Sequence, residues 1–115
     1  MSRTLDFNAI EKPTLDVTMR DKDHTVLHLS APTVDFVERM QALEPTIKKM
    51  KEGGDVRENF KKLYGFFAEV MSHNEDCIKV TVEDLRDVYK LNLVDLFKFY
   101  SAYEAFMDDI KNAKN

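Results

Sequence analysis

The residue types best suited to metal chemistry lie together in the second half of the chain, at His73, Glu75, Asp76 and Cys77. His73 and Cys77 are four residues apart, which on a helix would place both side chains on one face, where they could bind zinc. A zinc site needs three or four converging ligands, and the chain has one cysteine in all. The pattern therefore favours a polar helix end followed by a small buried thiol, and no metal site is predicted.

Two histidines in the first third of the chain offer a second possibility. His24 and His28 would point to the same side of a strand, with Val26 between them, and could act as a general base or a ligand pair. We favour the simpler interpretation that they are solvent-facing hairpin residues. The preceding run at 21–23 begins like a calcium loop, but it lacks the glycine at position six and the glutamate at position twelve.

Nucleophilic and phosphate chemistry have no better support in the sequence. Cys77 and Ser101 lie in no nucleophile elbow or triad context. The Gly53-Gly54 pair is followed by Asp55, which would repel a phosphate. We therefore expect no catalytic residue and no cofactor, and we do not expect an enzyme.

A basic cluster flanks the same glycine pair, and it also carries Glu52, Asp55 and Glu58. Its one interleaved aromatic, Phe60, falls on the apolar stripe of a predicted helix, where it is not free to stack on a base. A solvated face is the favoured interpretation, and nucleic-acid binding stays an alternative. The cluster consists of Lys48, Lys49, Lys51, Arg57, Lys61 and Lys62.

Length and composition indicate one domain. The chain has 115 residues, 43% of them hydrophobic and 33% charged, with a net charge of -4. This acidic balance is a poor match for a general nucleic-acid binder, and a single cysteine cannot form an intramolecular disulfide. The N-terminus has no apolar signal core, and no apolar run reaches the roughly 18 residues of a membrane span. A cytoplasmic, reducing location and no membrane partner are the expectation.

Periodicity predicts a mainly α fold, or α+β by strict count, with an N-terminal β-hairpin and about four helices in a compact bundle. Residues 14–19 alternate, with Leu15, Val17 and Met19 facing inward, and residues 24–29 form the second strand. We divide the single domain into a lead and hairpin at 1–32, a helical bundle at 33–112 and a frayed tail at 113–115.

Capping residues and apolar spacing define the helices. Thr33 is expected to cap the first helix, in which Pro45 causes a kink or a split, and Gly53-Gly54 ends it. A second helix begins with a capping box at 55–58 and ends near residues 73–74. A short third helix spans 81–89, and Asn92 caps the last one, which runs to about residue 112.

The last helix is unusually aromatic, because Phe97, Phe99, Tyr100, Tyr103 and Phe106 fall within ten residues. Two residues of helix rotate by about 200°, so Phe97 and Phe99 cannot share the centre of one narrow stripe. Either this helix passes through the middle of the domain and is buried all round, or it turns one aromatic face outward. We hypothesise that Phe99, Tyr103 and Phe106 are available to partners, as exposed aromatic patches often are.

Short motifs in both halves of the chain follow one another in a distinctive order. The first half contains LDFNAI at 5–10, KPTL at 12–15, VLHL at 26–29 and APT at 31–33. The second half contains IKVTVEDL at 78–85, LNLVDL at 91–96 and FKFYSAY at 97–103. This order of motifs resembles the tail assembly chaperones of long-tailed, non-contractile phages and prophages.

The resemblance implies a non-enzymatic protein that coats the tape-measure protein, keeps it soluble and brings tail-tube subunits to it. It also implies absence from the finished virion and, at 115 residues, the short form of a protein that often has a frameshifted longer form. Self-association along the tape measure is a further expectation. Two alternatives stay open: a structural tail or head-tail joining subunit, and a small regulator that binds nucleic acid through the 48–62 cluster.

Overall fold

A computed structural model describes residues 5–6, 13–53 and 56–111 of the chain, without the side chain of Val56. The described part is mainly helical with an N-terminal antiparallel hairpin, which confirms the predicted fold class. The elements are β1 (Leu15–Thr18), β2 (Val26–Leu29), α1 (Val34–Lys51), α2 (Val56–Ser72), a short π-helical turn (Asp84–Val88) and α3 (Leu93–Lys111). Most of the predicted lead, the Asp55 end of the second capping box and the tail lie outside the described residues.

The hairpin pairs Leu15 with Leu29 and Val17 with Leu27. Its inner face is the predicted one: Met19 is 3% exposed, and Leu15 and Val17 are half-buried against the core. The turn between the strands is held by the carboxylate of Asp21, which accepts hydrogen bonds from the Thr25 backbone N–H at 2.7 Å and from the Thr25 hydroxyl at 2.5 Å. Alternating apolar side chains and a local polar turn thus account for this element.

The edge of β2 that faces away from β1 pairs with the segment just after α2. Leu29 forms an antiparallel bridge with Asn74, in which Ser30 N–H donates to the His73 carbonyl at 3.0 Å and Glu75 N–H donates to the His28 carbonyl at 2.9 Å. The Asn74 side chain fixes this segment by donating to the carbonyls of Met71 and Ile78 and accepting from the Ile78 N–H. These bonds anchor the hairpin to the helical part of the domain.

Helix α1 begins where the sequence predicts, because the Thr33 hydroxyl accepts from the Phe36 N–H at 3.1 Å. Pro45 does not split it: the helix runs through from Val34 to Lys51. Buried side chains before and after the proline, Met40 and Ile47, both join the core, and this continuous burial offsets the lost backbone bond. The helix ends at Lys51, and Gly53, just after the Glu52 cap, has a φ of +88° that suits a residue without a Cβ.

Helices α1 and α2 pack antiparallel. Phe36, early in α1, meets the ring of His73, just after α2, at 5.4 Å between centroids. One turn on, Arg39 forms an ion pair with Glu69, and its guanidinium lies 4.6 Å from the centre of the Phe66 ring. Helix α2 ends at Ser72, next to the predicted end at residues 73–74.

Two reciprocal capping boxes position the last third of the chain. Thr81 and Asp84 exchange side chain to backbone hydrogen bonds of 3.0 and 3.1 Å, and Asn92 and Asp95 do the same at 2.9 Å each. The second box is the one predicted for the last helix. The expected short third helix is present at 82–88, but most of it is a π turn, in which Tyr89 N–H donates to the Asp84 carbonyl.

Candidate partner-binding surface

The three aromatic residues expected to be available to partners lie in the core. Phe99 is 7% exposed, Tyr103 1% and Phe106 8%. Their rings form a chain: Phe67 of α2 meets Phe99 edge-on at 5.2 Å, Phe99 lies 5.7 Å from Tyr103, and Tyr103 lies 6.1 Å from Phe106. The hypothesis of an exposed aromatic face is therefore wrong. Both apolar bands of α3 contact the core. The central helix is α2, which packs against α1, α3 and β2.

Burial leaves one of these side chains without a polar partner. The Tyr103 hydroxyl has no hydrogen bond to any described residue. Burial also raises the pKa of Tyr103 to about 12, because the phenolate would be poorly solvated there. Burial of this hydroxyl destabilises the fold, and the group is not accessible to a ligand at the surface.

The outer edge of β1 carries backbone groups that point away from the hairpin. Met19 N–H donates to the Thr25 carbonyl at 2.7 Å, which makes Met19 and Thr25 a hydrogen-bonded pair. Such pairs alternate along an antiparallel ladder, so the N–H and C=O groups of Asp16 and Thr18 point away from β2. No described residue bonds to them, and this edge can therefore accept another strand.

The outer face of the hairpin carries one close polar pair. His28 and Asp16 lie opposite each other, with His28 Nδ1 2.7 Å from Asp16 Oδ1. The hydrogen bond that protonated His28 donates to Asp16 raises the pKa of His28, with smaller contributions from the charges of Asp76 and Glu75, and the same bond lowers the pKa of Asp16. His24 lies in the turn, with a φ of +50°, so the predicted His24–His28 pair does not share a regular strand.

The residues considered from the sequence as metal ligands lie apart in their interactions. His73 packs against the Phe36 ring, while Glu75 uses its N–H in the bridge to β2. Cys77 is exposed in a turn with a φ of +57°, so the expectation of a buried thiol is wrong. It follows the last paired residues of the bridge segment, where the chain turns at the surface instead of entering the core. Among the described residues, no three His, Cys, Asp or Glu side chains are placed to share a metal ion.

The basic cluster lies at the surface, as the sequence indicated. All six of its side chains are exposed. Lys51 is partly engaged, since its Nζ lies 5.3 Å from the centre of the Phe97 ring in α3. Phe60 is half-buried and packs against the core, in line with its place on the apolar stripe.

A groove beside this cluster combines aromatic and basic side chains. It has a volume of about 400 Å³ and lies between α2 and the segment at 82–86. The Phe60 and Tyr64 rings stack in it, with centroids 5.2 Å apart and planes 15° apart. Its lining consists of Phe60, Lys61, Tyr64, Val82 and Arg86.

Sequence reasoning missed both the groove and its relation to the basic cluster. The spacing of Phe60 and Tyr64, one helical turn apart, was a usable signal for a stacked pair. No pattern of neighbouring residues indicates that Val82 and Arg86 lie beside Phe60, because they belong to the connection between α2 and α3. The β1 edge had a signal, since a hairpin exposes two edges until something covers them.

Comparison of the chain with protein-family models, with curated proteins and with solved structures finds no match in any of the three. Among the helices of the described residues, none has the length and apolar character needed to cross a membrane.

Proposed function

We propose that this chain is a phage tail assembly chaperone, which binds the tape-measure protein and helps recruit tail-tube subunits in the cytoplasm of the bacterial host. The resemblance of the sequence motifs in both halves to those of the family supports the proposal. In this proposal the chain acts by binding and not by catalysis, and it leaves before the virion is complete.

The observation that carries the proposal is the unpaired outer edge of β1. The backbone groups of Asp16 and Thr18 point outward, and among the described residues nothing bonds to them. Strand addition at such an edge uses main-chain hydrogen bonds, so it tolerates variation in the partner's sequence. That property suits a protein that must bind many places along one long partner, and the same edge can pair copies of the chain.

The test is co-expression of the tagged chain with the tape-measure protein of the same genome. The wild-type chain should keep the long partner soluble and co-elute with it in many copies. Thr18→Pro removes an outward N–H and leaves the bonds between β1 and β2 in place, so it should abolish co-elution. Thr18→Ala keeps the N–H and is the matched control.

Each result has a definite meaning. Loss of binding in the proline variant alone, with unchanged circular dichroism, supports strand addition at β1. Equal binding by both variants would mean that the partner binds at a surface other than the β1 edge. If the tape-measure protein stays insoluble when it is co-expressed with the wild-type chain, the chaperone proposal is wrong. Mass spectrometry of purified virions separates this proposal from a structural tail or head-tail joining subunit, which would be present in them.

A second candidate function rests on the six exposed cations of the basic cluster. If the chain is a regulator that binds nucleic acid there, its affinity for DNA or RNA should fall steeply as salt rises. A gel shift across a salt series tests this. Charge reversal at Lys48 and Lys49, which do not line the groove, should then weaken binding.

A further inference from the structure

We propose that the groove lined by Phe60, Lys61, Tyr64, Val82 and Arg86 is a docking site for an acidic segment of a partner protein that carries a bulky apolar side chain. The groove shares no residue with β1, so this inference stands apart from strand addition at the hairpin. It identifies a second interaction surface and specifies the chemistry of the partner segment that this surface would bind.

The floor of the groove is apolar and fixed in place. The Tyr64 ring stacks on Phe60, and its hydroxyl donates a hydrogen bond to the Leu91 carbonyl, which fixes the ring's orientation. Val82 adds an aliphatic wall from the segment after α2. The volume of about 400 Å³ lies within the 300–1,000 Å³ typical of binding sites, so the groove can take one large side chain.

The rim of the groove is positively charged. Lys61 and Arg86 are exposed, and neither forms an ion pair with any described carboxylate. Arg20 and Arg39, by contrast, are paired with Asp95 and Glu69. Two cations without partners beside an apolar floor are complementary to carboxylates that flank an apolar anchor. Because the chain has a net charge of -4, the two cations make the groove a locally positive site on an otherwise acidic protein.

A nucleic acid fits the groove less well. Base stacking needs an open aromatic face, but one face of Phe60 is covered by Tyr64, and Tyr64 itself is 7% exposed. Lys62 lines a second groove, on the α1 side of α2, and Lys61 lines both grooves. The covered aromatic faces therefore weigh against base stacking at this site.

The test is an NMR titration of the full-length, isotope-labelled chain with the peptide Glu-Asp-Glu-Phe-Glu-Asp-Glu. The backbone amides of Lys61, Tyr64, Val82 and Arg86 should shift. The double variant Lys61→Glu/Arg86→Glu should bind about tenfold more weakly, since it replaces two attractive charges with repulsive ones. Replacing the peptide's Phe by Ala should weaken binding to a similar extent.

A matched control separates the site from overall charge. Lys22→Glu/Lys79→Glu makes the same change in net charge at residues outside the groove, and it should bind like wild type. Equal weakening in both double variants would overturn the proposal, as would shifts confined to other residues. Tighter binding of an oligothymidine at these amides would assign the groove to nucleic acid instead. A change of oligomeric state in the groove variant alone, by analytical ultracentrifugation, would assign it to a second copy.

Discussion

Arg20, at the tip of the hairpin, and Asp95, in the first turn of α3, bind each other through both arms of the guanidinium. The two N–O distances are 2.9 and 3.0 Å, and the residues are 75 positions apart in the chain. Arg20 also donates to the Lys90 carbonyl at 3.0 Å. Because Asp95 accepts from the Asn92 N–H as well, one carboxylate both caps α3 and holds the hairpin against it.

The first prediction follows from this pair. The hydrogen bond from Arg20 lowers the pKa of Asp95, so the pair adds stability above the ordinary aspartate value of 3.8 and loses it as pH falls through the lowered value. Arg20→Ala should therefore lower the midpoint of thermal unfolding at neutral pH and have little effect well below 3.8. Thermal melts at both pH values check this. Lys98→Ala is the control, since it removes a nearby charge without a hydrogen bond to Asp95, and it should have a smaller effect.

The second prediction concerns the His28–Asp16 pair on the hairpin. The raised pKa of His28 adds stability that is complete below the ordinary histidine value of 6.5 and is lost as pH rises through the raised value. The lowered pKa of Asp16 adds stability above 3.8 that is lost in acid. His28→Gln should therefore destabilise most between 3.8 and 6.5. Urea unfolding across pH measures this, and in an Asp16→Asn background the pH dependence of the His28→Gln effect should largely disappear.

The third prediction replaces the hypothesis of an aromatic partner face. Phe99 is 7% exposed and contacts the rings of Phe67 and Tyr103, so Phe99→Ala should cost about 3–5 kcal/mol of unfolding free energy. Val94→Ala, on the same helix but 59% exposed, should change stability by less than about 0.5 kcal/mol. Chemical denaturation gives both values. A Phe99→Ala variant as stable as wild type would contradict the burial of this side chain in the core.

The fourth prediction uses the unpartnered hydroxyl of Tyr103. Removing it in Tyr103→Phe eliminates a buried polar group with no hydrogen bond to the described residues, and should raise stability by about 1 kcal/mol. Tyr64→Phe is the matched control, because it breaks the bond from the Tyr64 hydroxyl to the Leu91 carbonyl and should lower stability by about 1 kcal/mol. Differential scanning calorimetry of both variants should show opposite shifts.

The features predictable from the sequence are those set by neighbouring residues. Alternation fixed the inner face of β1, and the caps at Thr33 and at Asn92 with Asp95 were recognisable from residue types three positions apart. Each of these signals is complete within one turn of chain. They were sufficient for the fold class and for most element boundaries.

The features that were missed depend on residues distant in sequence. The spacing of Phe99, Tyr103 and Phe106 left open whether their side chains are buried, because periodicity shows which faces are apolar but not how many neighbours a helix has. The π turn after Thr81 and the arrival of Arg86 beside Phe60 follow from how the connection packs against α2. The candidate groove could therefore not be assembled before the structure was known.

The bridge between Leu29 and Asn74 has a consequence for how the chain is made. The hairpin is translated before the helices, yet the segment that pairs with the edge of β2 is translated only after α1 and α2. A nascent chain stopped before residue 74 can pack β2 against α2, but the Ser30 N–H and the His28 carbonyl still lack the backbone partners that residues 73 and 75 provide. The β2 edge is thus completed only after both of the helices that follow it in the chain have been translated.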